Sequence, residues 1–197
     1  MSLFQLSIHK SNDLEEFIDY WSKLYSYVNE DLYDNSIDKE IFIKEDIQNL
    51  YTWKNGMRLS EAKQRSVDTK IKAKLPIINN FKSSTSLDLK GFKKEFKDVT
   101  TVWKIFLLHT IKPQEFPIYD QHIHRAFLFI NNEDWGNVSN SSIKDKTKEE
   151  FYFGRYLPFI EANGFNDLRK LDKAFFAFGQ FLRTNYSAII EKDFRGD

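Results

Sequence analysis

Residues 115–127, "EFPIYDQHIHRAF", place Asp120, His122, His124 and Arg125 within six positions of one another, in a chain that has only four histidines. Three chemistries compete for this segment. A metal site would use Asp120, His122 and His124, with His109 nearby in sequence. Their one-residue alternation suits a strand, but on a helix only residues three or four apart meet, here Asp120 and His124. No H-E-x-x-H or other well-spaced ligand set occurs, so no metal and no cofactor is expected. A structural role would make Asp120 the N-cap of a helix, worth about 1 kcal/mol. An amine role would pair Asp120 with Lys104. In "VWKIFLLH", Lys104 stands among Trp103, Ile105, Phe106, Leu107 and Leu108. A buried ammonium is costly unless paired, and a desolvated lysine beside an aspartate is a nucleophile with an acid–base partner. The competing possibility is a lysine that stretches its head out to solvent or lies on a solvent stripe, and spacing alone favours that plainer role.

The elements that must hold these residues read as helices. Leu14, Phe17, Ile18, Trp21, Leu24, Tyr25 and Val28 recur at three- and four-residue steps, with Asn12 and Glu15 as a capping pair. A second helix is expected after Ser36, carrying Ile43, Ile47, Leu50 and Tyr51 and stopping at Asn55-Gly56. Ser60 caps a third, which bears Val67, Ile71 and Leu75 and is halted by Pro76. Its other faces carry Lys63, Arg65, Lys70, Lys72 and Lys74, as a solvated face or a phosphate-contacting one. "NNFKSSTSLDLKG" reads as a loop or hinge. Asp98 or Thr100 starts a helix that runs to Ile111, ahead of Pro113. Asp120 starts another, with Ile123, Phe127 and Ile130 inward. Residues 131–146 read as a polar loop. A helix through Phe151, Tyr152 and Leu157 ends at Asn163-Gly164. The last carries a core stripe of Leu168, Leu171, Phe175, Phe178 and Leu182, and the tail "EKDFRGD" reads as loose.

Composition agrees. Among 197 residues, 41% are apolar, with 19 Phe, 9 Tyr and 4 Trp, enough for a substantial core. Seven Gly and four Pro are too few for many tight turns, which points to an all-α fold. The absence of cysteine excludes disulfides, thiolate nucleophiles and iron–sulfur clusters. Twenty-nine basic and twenty-nine acidic residues cancel, which argues against a nonspecific polyanion coat but leaves room for a local basic face. The start "MSLFQLSIHKSND" does not read as a signal peptide, and no window approaches 18 apolar residues. The expectation is a cytoplasmic protein without a membrane partner: one helical domain over 1–197, divisible into lobes near 1–82 and 83–197. No oligomeric state is implied.

The run Pro117-Ile118-Tyr119-Asp120-Gln121-His122-Ile123-His124-Arg125 resembles the "P-V-D-T-H-V-x-R" segment of helix-hairpin-helix DNA glycosylases, with one extra residue before the aspartate. Lys104 precedes Asp120 at close to the spacing of the catalytic lysine in bifunctional members. "K-x-x-x-L-H-x-x-x-P-x-x-F-P-I-Y-D" is also similar to distant 8-oxoguanine glycosylase-like bacterial proteins, as are Arg169, Asp172, Ala174 and Phe178-Gly179 near the end. The likeness covers about residues 95–130. It implies a helical glycosylase-like fold and a DNA-binding base-excision-repair enzyme, with double-stranded DNA as partner. Lys104 would attack the anomeric carbon, and Asp120 would stabilise the developing charge. His122 and Arg125 would hold the motif, and Trp53 or Trp103 would stack on the base or wedge the gap, with core packing the plainer role for both. The family's glycine-rich hairpin loop is missing from "FKDVTTVWK", so the helix-hairpin-helix is degenerate and phosphate capture would fall to Thr100 and Thr101. The alternative is a non-catalytic helical module of the same fold that binds nucleic acid or a protein.

Overall fold

The computed structural model describes residues 10, 13–139, 143–188 and 190, and all regular structure among them is helical. The helices are α1 (Leu14–Lys23), α2 (Glu30–Ile37), α3 (Lys44–Asn55), α4 (Glu61–Lys70), α5 (Leu75–Ser83), α6 (Leu89–Glu95), α7 (Thr101–Ile111), α8 (Gln121–Ile130), α9 (Asp145–Phe151), α10 (Leu157–Asn163) and α11 (Leu168–Phe181). None is long and apolar enough to cross a membrane.

The chain groups into two compact units. One comprises residues 1–25, 120–142 and 170–197, and the other 26–119 and 143–169. The first unites the two ends of the chain because α1 and α11 share aromatic surface. Phe17 meets Phe178 edge to face at 5.0 Å between centroids, and Trp21 meets the same ring at 4.9 Å. From α8, Phe129 joins Phe178 at 5.1 Å. This is the stripe the last helix was expected to bury: Leu171, Phe175, Phe178 and Leu182 all lie in the core. The second unit is built around α3 and α7, where Ile47, Leu50, Phe106 and Leu107 are fully buried.

Several boundaries differ from expectation. Asn12 and all of "EKDFRGD" lie outside the described residues. The side chain that caps α1 is Asp13, which accepts from the Glu15 and Glu16 amides. The helix ends nine residues after it starts rather than running to Val28, because the chain turns at Leu24 and Asn29 takes φ +55° before α2. Pro76 opens α5 instead of stopping the preceding helix; a proline is at home in the first turn, where its missing N–H has no intrahelical role. The expected hinge "NNFKSSTSLDLKG" holds the end of α5 and the start of α6, which Asp88 caps through the Gly91 amide. Asn55-Gly56 and Asn163-Gly164 do end helices, with Gly56 at φ +75° and Gly164 at φ +62°.

Candidate functional site

Lys104 belongs to the second unit. It sits in the first turn of α7, whose neighbouring positions Ile105, Phe106, Leu107 and Leu108 are all buried. The lysine side chain itself is 15% exposed. It lines a shallow cleft together with Lys93, Thr101, Glu149 and Phe153. Glu149 Oε2 lies 4.0 Å from Lys104 Nζ, and Oε1 lies 2.8 Å from Lys93 Nζ. Lys93 also stands over the Phe153 ring, 3.8 Å from its centroid. The cleft thus combines two ammonium groups, one carboxylate, one hydroxyl residue and an aromatic wall.

The start of α7 is occupied from within the same unit. Thr101 is buried, and its amide donates to Asp145 Oδ2 at 3.2 Å. Burial works to raise the Asp145 carboxyl, but the Thr101 amide and Lys148 outweigh it and hold it below the usual carboxylate range. Thr100 is the exposed N-cap residue and makes no capping bond through its side chain. The phosphate-capture role expected of Thr100 and Thr101 therefore meets an internal carboxylate already bound at that helix end.

Asp120 belongs to the first unit, where it is the N-cap of α8. Its Oδ1 accepts from the His122 amide at 2.8 Å and the Ile123 amide at 3.0 Å. This is the structural role the sequence allowed. Arg125 is 3% exposed, and its guanidinium donates to the Gly179 carbonyl at 2.9 Å and the Val138 carbonyl at 2.6 Å. His122 packs on Phe176 with centroids 5.0 Å apart and lies 3.3 Å from Arg125 Nη1. Burial pushes the His122 imidazole below its ordinary pKa. Neither His122 nor Arg125 is a free substrate-binding group: one wedges and the other brackets the α8–α11 crossing. Gly179 is the tightest point of that crossing, where an added Cβ would stand 2.0 Å from the His122 carbonyl oxygen.

The two tryptophans also take structural places, both in the second unit. Trp53 is 3% exposed, donates its indole N–H to Glu30 at 3.0 Å, and packs against Tyr27, Tyr33 and Phe106. It is core rather than a stacking platform. Trp103 is half-buried; its ring meets Tyr51, whose hydroxyl donates to the Trp103 carbonyl at 3.0 Å.

His109 lies deep in the second unit. It is fully buried, 2.7 Å from the Phe116 carbonyl through Nδ1 and 2.6 Å from the Tyr33 hydroxyl through Nε2. A carbonyl only accepts, so Nδ1 carries the proton and Nε2 accepts from Tyr33. Burial pushes the imidazole pKa down to about 3. Among the described residues, no group of three or more His, Asp or Glu side chains is placed to hold a metal ion.

Glu149 and Lys93 escaped the sequence reading. Glu149 lies 45 residues beyond Lys104, and no local pattern links them. The one signal was the lysine run of α6, which sits directly before α7. By its fold the chain is an all-α protein. Compared with protein-family models, curated proteins and solved structures, it gives no match.

Proposed function

We propose that this chain is a DNA-binding protein of glycosylase/lyase type, in which Lys104 is the amine that attacks the sugar carbon of a damaged or base-free nucleotide. The observation that carries this reading is a mostly covered lysine at the edge of an open cleft, on an otherwise apolar helix. The resemblance of residues 95–130 to helix-hairpin-helix glycosylases supports it. So does local charge: residues 90–104 hold five lysines against Glu95 and Asp98 in a chain whose net charge is zero.

The test is reductive trapping. Duplexes containing an abasic site, uracil or 8-oxoguanine are incubated with the protein and borohydride, and the adduct is mapped by peptide mass. An adduct on the Lys104 peptide is expected with the abasic duplex. No adduct with any duplex, at protein well above DNA, overturns the reading.

A non-catalytic module is the second reading. It is favoured by the capping bonds of Asp120 and by the Asp145 carboxylate seated at the start of α7. A gel shift against salt separates the forms of this reading: a steep fall in affinity marks phosphate contacts, and no shift at low salt leaves a protein partner.

A further inference from the structure

The carboxylate that faces Lys104 comes from α9, a helix to which the sequence assigned no chemistry. Glu149 touches two lysines at once, Lys93 closely and Lys104 at 4.0 Å, on the wall of one cleft. We propose that Glu149 is the positioning carboxylate of Lys104, holding the amine at the cleft. This rests on the reading of Lys104 as the reactive amine.

The geometry suits that task. A mostly covered ammonium needs an anion nearby, and Glu149 is that anion within the same compact unit. Lys93 fixes Glu149 from the other side and is itself held over Phe153. At 4.0 Å the Lys104 contact is too long for a hydrogen bond, so the amine is oriented without being locked. Two lysines and one glutamate leave one net positive charge, which draws a phosphate-bearing substrate toward the cleft. Asp120, by contrast, accepts from two amides at the start of α8. The reaction needs no further reagent. One ammonium and one sugar aldehyde give one protonated imine and one water; the C–N bond forms as the carbonyl oxygen leaves with two protons from nitrogen, passed through solvent.

Nearby charges set the direction of the test. A carboxylate favours the ammonium, so its loss moves amine reactivity to lower pH, and loss of a neighbouring cation moves it to higher pH. Trace acetylation of the whole chain with acetic anhydride, read by mass spectrometry at Lys104 against pH, measures this without DNA. Glu149→Gln is expected to raise Lys104 labelling near neutral pH above that of the wild type. Glu149→Asp is expected to restore the wild-type profile, and Asp120→Asn to leave it unchanged. Lys93→Gln is expected to displace the profile the other way, and it serves where Glu149→Gln does not fold. A profile that follows Asp120→Asn, or that none of the variants moves, overturns the assignment. If the labelling shift occurs but wild-type protein gives no adduct with abasic DNA, the DNA reading fails and the Lys104–Glu149 coupling stands.

Discussion

The two compact units use their charged residues in opposite ways. In the unit that joins the chain ends, Asp120, His122 and Arg125 stand close together in sequence, and internal contacts engage each of them: a helix cap, an aromatic contact, a pair of carbonyls. In the other unit, Lys104 stands alone on an apolar helix and reaches an open cleft. The grouped Asp, His and Arg thus mark a structural joint, and the isolated charge marks the candidate site. Clustered polar groups near a helix start satisfy one another and the backbone, whereas a lone lysine among buried neighbours must find its partner from a distant segment.

The largest effect that tests this contrast is at Gly179. Gly179→Ala sets a Cβ against the His122 carbonyl, backbone to backbone, where no side chain can swing away. A loss of about 3 kcal/mol or more in denaturant unfolding is expected. A loss below about 1 kcal/mol would mean the joint is looser than described.

Arg125→Lys comes next. Lysine lacks the fork that serves the Gly179 and Val138 carbonyls together. A loss of about 2 kcal/mol is expected, since a buried acceptor is left unmade. If Arg125 instead served substrate, stability would hold and DNA affinity would fall.

In the second unit, His109 sets a pH dependence. Its folded pKa of about 3 lies below the ordinary value of 6.5, so the unfolded chain binds the extra proton between those limits. Stability contributed by the neutral ring is complete above pH 6.5 and is lost as pH falls toward 3. A slope of about 1 kcal/mol per pH unit is expected in that window. His109→Gln should flatten it, and an unchanged slope would assign the acid sensitivity to other groups.

Asp120 gives a smaller and sharper contrast. Asp120→Ala is expected to cost about 1 kcal/mol, while Asp120→Asn, an equally good cap, stays within about 0.5 kcal/mol of wild type. Trapping on abasic DNA should survive both; loss of adduct in Asp120→Asn with stability intact would make Asp120 chemical after all. Lys104→Gln inverts the pattern, with stability changed by no more than about 0.5 kcal/mol and adduct abolished.

Much of the fold was legible. Helix type followed from apolar spacing in the first, eighth and eleventh helices, and stops followed from Gly56 and Gly164, where positive φ admits glycine without strain. The cap at Asp120 was legible too, because an N-cap acts on amides two and three residues away. Pro76 was misread because a proline bars a helix interior but fits a first turn, and the sequence alone did not say which it met. The pairing of α1 with α11, Phe17 and Trp21 against Phe178, spans the length of the chain and left no trace in local spacing.

The sequence by itself determined that this protein is helical, cysteine-free and able to place one lysine on an apolar helix, since all of these depend on composition or on neighbours within a few residues. Only the tertiary structure decided what that lysine faces. Glu149 and Lys93 reach Lys104 from separate helices of one compact unit, and a contact between segments far apart leaves no periodic trace in the chain.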